Sequence, residues 1–236
     1  MNLEQLIENY QPPQDAIEVI KNTKIVLIVG ISGAGKDTIK RELLKQPGFR
    51  EIISHTTRAP RANVGVMEVD GVDYHFIDDE IARTMLETGE FVEAKFVHGT
   101  VYGTSIREVA AAGADGVAVT DIDVQGVSEY KAVSSAVRAI FVVPPDYPTW
   151  IQRLKQRYAS EEEFLKEWPR RRQSAINELT RALELPYYHC VINDDLDRAV
   201  RVTAEIAQRP DTFTRQDDEA RLATRTLLEQ IRTQEL

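Results

Sequence analysis

Lys24–Val29 reads KIVLIV and Gly30–Thr38 continues it as GISGAGKDT, and the junction of these two stretches decides the fold. The first is rich in β-branched residues and has no polar alternation, which predicts a strand buried on both faces of a parallel sheet. It runs directly into Gly30, Gly33 and Gly35, which permit positive φ and let bare N–H groups approach phosphate oxygens. Lys36 adds a point charge, and the helix predicted to follow adds the positive end of its dipole. That helix carries Ile39, Leu43 and Leu44 on one face and ends at Pro47 and Gly48. Gly30, Ser32, Gly33, Ala34, Gly35, Lys36 and Thr38 thus form a candidate cradle for a nucleoside triphosphate. Asp37 stands where a serine or threonine normally offers its hydroxyl to Mg²⁺. A carboxylate beside a triphosphate calls for a cation between them, so Asp37 is a candidate Mg²⁺ ligand, directly or through water. An exposed aspartate that merely favours the helix N-terminus is the other reading, and both stay open.

About twenty residues on, Ser54–Arg61 reads SHTTRAPR, and its two arginines suit a second phosphate. A donor grip followed by an acceptor grip points to phosphoryl transfer.

With 236 residues, 42% of them hydrophobic, the chain is long enough for one cored domain with a small inserted lobe. The single cysteine, Cys190, excludes an internal disulfide and a cysteine-rich metal site. Four scattered histidines lack ligand spacing, so no metal site is expected from them. There is no basic start followed by an apolar core, and no apolar run of bilayer length, so neither secretion nor a membrane role is expected and the location expected is cytoplasmic. A net charge of −9 argues against long nucleic acid as a partner. Arg170, Arg171 and Arg172 read either as a solvated helix face or as part of a lid over phosphates.

Leu3, Leu6, Ile7 and Tyr10 form a short helical stripe stopped by Pro12 and Pro13, with a second at Ile17 and Ile20, which predicts an N-terminal helical extension over residues 1–22. Further strands are predicted at Glu51–Ser54, Gly116–Asp121, Val137–Val143 and Tyr188–Ile192, with helical patterns between them. Such alternation implies an α/β fold, a three-layer parallel sheet with helices on both faces, and ligands at the carboxyl ends of its strands. Extended stretches at Val66–Phe76 and Phe91–Val97, around a helix starting near Asp78, mark the inserted lobe. Past Pro210 a stripe including Leu222, Leu227, Leu228 and Ile231 predicts a C-terminal helical extension over 210–236 that packs or dimerises; a monomer or a homodimer is expected.

From about Lys24 to Gln208 the chain resembles the guanylate kinase family of P-loop nucleoside monophosphate kinases. Beside the two phosphate segments it carries, in order, DGVDYHF (Asp70–Phe76), GEFVE (Gly89–Glu93), HGTVYGTS (His98–Ser105), DIDVQG (Asp121–Gly126), RLKQR (Arg153–Arg157) and VINDDLD (Val191–Asp197). The resemblance implies a core over 23–209, with a GMP-binding lobe at about 55–104 and a lid at about 153–172. It implies transfer of the γ-phosphoryl group of ATP to GMP with Mg²⁺. Arg58 and Arg61, with Tyr74 and Tyr102, would grip the phosphate of GMP, while Ser54, Glu93, Thr104 and Asp123 would read guanine. Asp121 would lie near the metal and the phosphates, unless it is a helix cap. Arg153, Arg157 and Arg172 would close over the donor, and Asn193 would lie beside adenine, unless it serves as a turn or helix cap.

Several features depart from the family: Asp37, a longer loop between Arg61 and Gly71, Tyr158 where glycine usually stands, and a longer lid interrupted by Pro169. Two alternatives remain on these residues. One is a related kinase acting on another phosphorylated small molecule, such as a ribose bisphosphate. The other is a non-catalytic, guanylate-kinase-like module that binds phosphopeptides, against which the glycine loop and Lys36 argue.

Overall fold

The computed structural model describes residues 2–63, 66–208 and 215–234. Val64 and Gly65 of the longer loop, and Pro210 at the expected start of the C-terminal extension, lie outside them. In chain order the elements begin with α1 (Leu3–Glu8), α2 (Gln14–Asn22), β1 (Ile25–Val29), α3 (Lys36–Leu44), β2 (Phe49–Glu51), β3 (His55–Thr56) and β4 (Ala62–Asn63). β5 (Val66–Met67), β6 (His75–Phe76), α4 (Asp79–Glu87), β7 (Phe91–Val97), β8 (Thr100–Ser105), α5 (Ile106–Gly113) and β9 (Val117–Asp121) follow. The remainder is α6 (Val124–Val133), β10 (Arg138–Val143), α7 (Tyr147–Lys155), α8 (Glu161–Glu184), β11 (Tyr188–Ile192), α9 (Leu196–Gln208) and α10 (Arg215–Thr233). Two compact units result, one from Met1–Ile25, Gly48–Thr120 and Glu129–Val137, the other from Val26–Pro47, Asp121–Ser128 and Arg138–Leu236.

In the second unit β11, β10 and β1 are parallel neighbours in that order. Every residue of β1 is buried, as is β10 from Ala139 to Val143, which is why these strands are apolar without alternation. Helices flank this sheet, α3 against α9 and α10 against both α8 and β11. The strands' carboxyl ends lead into the glycine loop after β1 and Asn193 after β11. Ile122 N–H donates to Ile28 O, bringing the chain just past Asp121 beside β1. Contrary to the sequence expectation, Pro169 does not interrupt its region: α8 runs through it unbroken. The proline cannot donate to the carbonyl of Leu165, but Leu165 is half exposed, so water can take the place of the lost bond. The C-terminal stripe also differs. Ala220, Thr224, Leu227, Leu228 and Ile231 are buried, but Leu222 is 63% exposed, because a step of two residues turns it off the face that Ala220 and Thr224 define.

The first unit contains a parallel pair, β2 with β9, and a mixed sheet in the order β6-β3-β8-β7. β7 and β8 form a hairpin whose two turn residues, His98 and Gly99, both have positive φ, as a tight hairpin turn demands. The strand predicted at Glu51–Ser54 is split. Ile52 N–H still donates to Val119 O, whereas Ser54 O accepts from His75 N–H, so these residues pass the chain from one sheet to the other. The N-terminal arm closes the lobe's core: Leu3, Leu6, Ile7 and Tyr10 pack with Met85, Leu86, Phe91 and Val101.

Candidate functional site

The glycine loop of the second unit is shaped by close approaches. A Cβ on Gly30 would stand 2.3 Å from the carbonyl oxygen of Val142, and Gly35, with φ +91°, is the left-handed N-cap of α3. Two side chains brace the loop from outside. Trp150 Nε1 donates to Ser32 O (2.8 Å), and Asn193 Nδ2 donates to Ala34 O (2.8 Å). Asn193 also donates its N–H to Val143 O and accepts from Arg153 Nη1 through its carbonyl. Its amide is therefore committed to the phosphate loop, and the cap of α9 is Asp195, which accepts from Arg198 N–H. The sequence named Asn193 but not this job, and Trp150 was missed, since nothing in a lone tryptophan on an amphipathic helix points to a loop.

Lys36 is half-buried at the first position of α3, Thr38 is half-buried and Asp37 is exposed. Asp121 pairs with Lys40 Nζ at 2.5 Å, a partner the sequence reading missed. Burial pushes the Asp121 carboxyl up, but the charge and hydrogen bond of Lys40, with Lys36 beyond, outweigh it and hold the group below its ordinary range. The helix cap is not Asp121 but Asp123, whose Oδ1 accepts from Gly126 N–H (2.7 Å). Glu178 of α8, also unforeseen, has its carboxyl pushed up by burial, an effect opposed by Ser174's hydrogen bond and by Lys36.

The three consecutive arginines have three fates. Arg170 pairs with Glu167 on the outer surface, Arg171 Nε donates to Tyr158 Oη, and Arg172 donates to the carbonyls of Ile231 and Arg232 at the end of α10. Tyr158 lies against Phe164 in an aromatic cluster with Trp168 and Trp150. Arg157 is exposed just past α7.

In the first unit the expected base-reading residues meet. Thr104 Oγ1 donates to Glu93 Oε1 (2.7 Å), and Ser54 Oγ lies 3.3 Å from Thr104 Oγ1. A bulge between Phe91 and Glu93 brings Glu93 opposite Thr104. Tyr130, unforeseen and buried, has its hydroxyl raised well above its ordinary value by burial, with Glu93 adding to the effect.

Tyr102 lies two residues before Thr104 on β8, hence on the same face of the strand and about 7 Å away. Its ring meets that of Tyr74 edge-on at 6.1 Å, and the Arg58 guanidinium sits 5.3 Å from the Tyr74 ring centroid. Arg58 is also held by Glu68 in a two-bond fork (2.7 and 3.0 Å), which raises its pKa further. Glu68 accepts from Arg61 N–H as well, while the Arg61 side chain remains exposed. An acid seven residues past Arg61 was the available signal for this pairing.

Comparisons with known proteins converge on one family. A guanylate kinase family model matches residues 22–209. The guanylate kinase of Geobacter metallireducens is 35% identical over 193 residues, covering 80% of this chain and 91% of that protein. That of Rickettsia prowazekii is 37% identical over 198 residues, covering 82% and 96%. The crystal structure of guanylate kinase from Anaplasma phagocytophilum superposes with a TM-score of 0.56 at 25% identity, covering 82% of this chain and 89% of that one.

Proposed function

The chain belongs to the guanylate kinase family, and from that premise we infer how its residues divide the work of the reaction. It transfers the γ-phosphoryl group of ATP to GMP, giving ADP and GDP. One observation carries the assignment of the acceptor site: the Ser54–Thr104–Glu93 chain of hydroxyls and a carboxylate. A carboxylate suits the N1–H and exocyclic amine of guanine, and a hydroxyl can donate to O6, so adenine would leave these groups mispaired. Asp123, the cap of α6, would add a further base contact. At the other end Arg58, Arg61, Tyr74 and Tyr102 would hold the GMP phosphate, Glu68 fixing the plane of the Arg58 fork.

On the donor side Gly30, Ser32, Gly33, Ala34, Gly35, Lys36 and Thr38 would hold the ATP phosphates, Lys36 at the oxygens that gain charge. The acceptor phosphate oxygen is already a nucleophile, so no covalent intermediate is needed; alignment, charge screening and exclusion of water suffice. Arg153 and Arg157 would close on the transferring group. We assign the remaining lid position to Arg171 rather than Arg172, whose guanidinium is committed to the carbonyls of α10.

Among the described residues no group of three or more His, Cys, Asp or Glu could hold a metal alone. Mg²⁺ is held mainly by phosphates and water with one or two carboxylates, and Asp37 and Asp121 would supply these. When bound, the ion neutralises charge on the donor phosphates.

No helix among the described residues is long and apolar enough to cross a membrane. A cytoplasmic location, and a monomer or homodimer, complete the proposal. The test is ADP release measured with a panel of nucleoside monophosphates. GMP-dependent turnover is expected; equal rates with AMP would overturn the base contacts, and no turnover with GMP would overturn the whole reading.

A further inference from the structure

We propose that Tyr10, on the N-terminal arm, is a positioning residue for the guanine-reading carboxylate of Glu93. The inference rests on the reading of Glu93 given above, and it begins with a register. Phe91 pairs with Ser105 and Glu93 with Thr104, so two steps along β7 correspond to one along β8. In an unbroken ladder Val92, not Glu93, would face Thr104, and the hydrogen bond that joins Thr104 to Glu93 would be lost. The bulge therefore aims the carboxylate.

β7 is an edge of its sheet, where bulges commonly sit and no further strand flanks them. Here it is clamped at Phe91 from two sides. The Tyr10 hydroxyl donates to Phe91 O (2.6 Å) and accepts from Phe91 N–H (3.0 Å), taking the place of a neighbouring strand at this one residue. The Phe91 side chain is fully buried and lies flush over Gly103 of β8, where a Cβ would come within 2.8 Å of the ring. Tyr10 is itself fixed by packing in the cluster of Leu3, Met85, Leu86, Phe91 and Val101. It lies outside the segment that matches the family model, so this clamp belongs to the extension of this chain.

The experiment compares the full-length wild type with Tyr10→Phe, Leu6→Ala and Glu93→Gln, measuring kcat/KM for GMP and for IMP, which lacks the exocyclic amine, together with KM for ATP and Tm. Tyr10→Phe keeps the ring and removes the hydroxyl. It is expected to lower kcat/KM for GMP by about threefold to tenfold and to narrow the GMP-over-IMP preference by a similar factor, with KM for ATP unchanged. Leu6→Ala loosens the same packing but keeps the Tyr10 hydroxyl, so it should lower Tm and narrow the preference less than Tyr10→Phe does; an equal or greater narrowing would assign the effect to general loosening and overturn the inference. A narrowed preference in Glu93→Gln beside an unchanged one in Tyr10→Phe overturns this inference alone. An unchanged preference in Glu93→Gln overturns the reading of Glu93, and the inference with it.

Discussion

Replacing Asn193 by alanine separates two roles for that residue, a contact to the nucleotide base and a brace for the phosphate loop. Asn193 is 7% exposed, and its Nδ2 is the side-chain donor that reaches the carbonyl of Ala34, itself fully buried. Truncation leaves that carbonyl without a partner and without access to water. An unsatisfied buried acceptor costs about 1–3 kcal/mol, a range that already contains the lost bond. For a chain of this length each kcal/mol corresponds to roughly 2–4 °C, so Tm without nucleotide should fall by about 2–12 °C. The loop remains tied at Ser32 by Trp150, so it is loosened rather than lost. A shift of a fraction of an ångström in the cradle should lower kcat/KM for ATP on the order of tenfold to a hundredfold. Asn193→Asp gives a sharper test of sign. It is nearly isosteric, yet at neutral pH it points an acceptor at an acceptor, so it should destabilise more than alanine does, and the gap should close at acidic pH as the aspartate gains a proton to donate. Thermal melts and ADP release decide the matter. If Asn193→Ala melts within about 1 °C of wild type while its preference between ATP and GTP changes, the bracing argument is wrong and a base contact is right.

Glu68→Gln tests the Arg58 fork through pH. Arg58's hydrogen bonds, working against burial, hold the Glu68 carboxyl below its ordinary 4.5, so the pair's stabilisation is complete above that pH and is lost as pH falls through the lower folded value. The Tm difference between wild type and Glu68→Gln should accordingly be positive at pH 7 and shrink below pH 4.5; a difference that grows on acidification would contradict the pairing. Gly103→Ala places a Cβ 2.8 Å from the Phe91 ring and 3.1 Å from Glu93 O, so KM for GMP should rise several-fold, about what 1 kcal/mol of misfit gives, with KM for ATP unmoved; steady-state kinetics with each substrate varied checks both. Asp37→Ala should raise the Mg²⁺ concentration for half-maximal activity by about tenfold if the carboxylate ligates the ion. An unchanged Mg²⁺ titration would leave Asp37 as a helix-terminal charge.

Much of the fold was legible because it depends on local rules. The unbroken apolar run of β1, the glycines at its end and the alternation of strands with helices each follow from burial and backbone sterics, and β1, β7, β9, β10 and β11 lie within a residue of where the sequence places them. What escaped was non-local. The split at Glu51–Ser54 depends on two different sheets claiming neighbouring residues, and the β7 bulge depends on the register of β8. The partners that organise the site belong to the same class. Lys40 with Asp121, 81 positions apart, and Trp150 with Ser32, 118 apart, join groups whose proximity only the folded chain reveals, whereas Glu68 lies within ten residues of Arg58.

The arginine run shows why a one-residue error in register is not a small one. Successive residues on an α-helix point about 100° apart, so Arg170, Arg171 and Arg172 cannot share a face. Counting through a lid of altered length selects Arg172, yet the helical phase is fixed by Phe164, Ala175, Leu179 and Ala182, which turn inward. With that face set, Arg170 must lie outward toward Glu167, while Arg172 reaches α10 and Arg171 alone reaches Tyr158. Tyr158 departs from the family's usual glycine, and its hydroxyl is what receives Arg171 Nε. The buried stripe of α8 thus sets which arginine faces Tyr158 and which faces α10, and on that ground the lid position is proposed for Arg171.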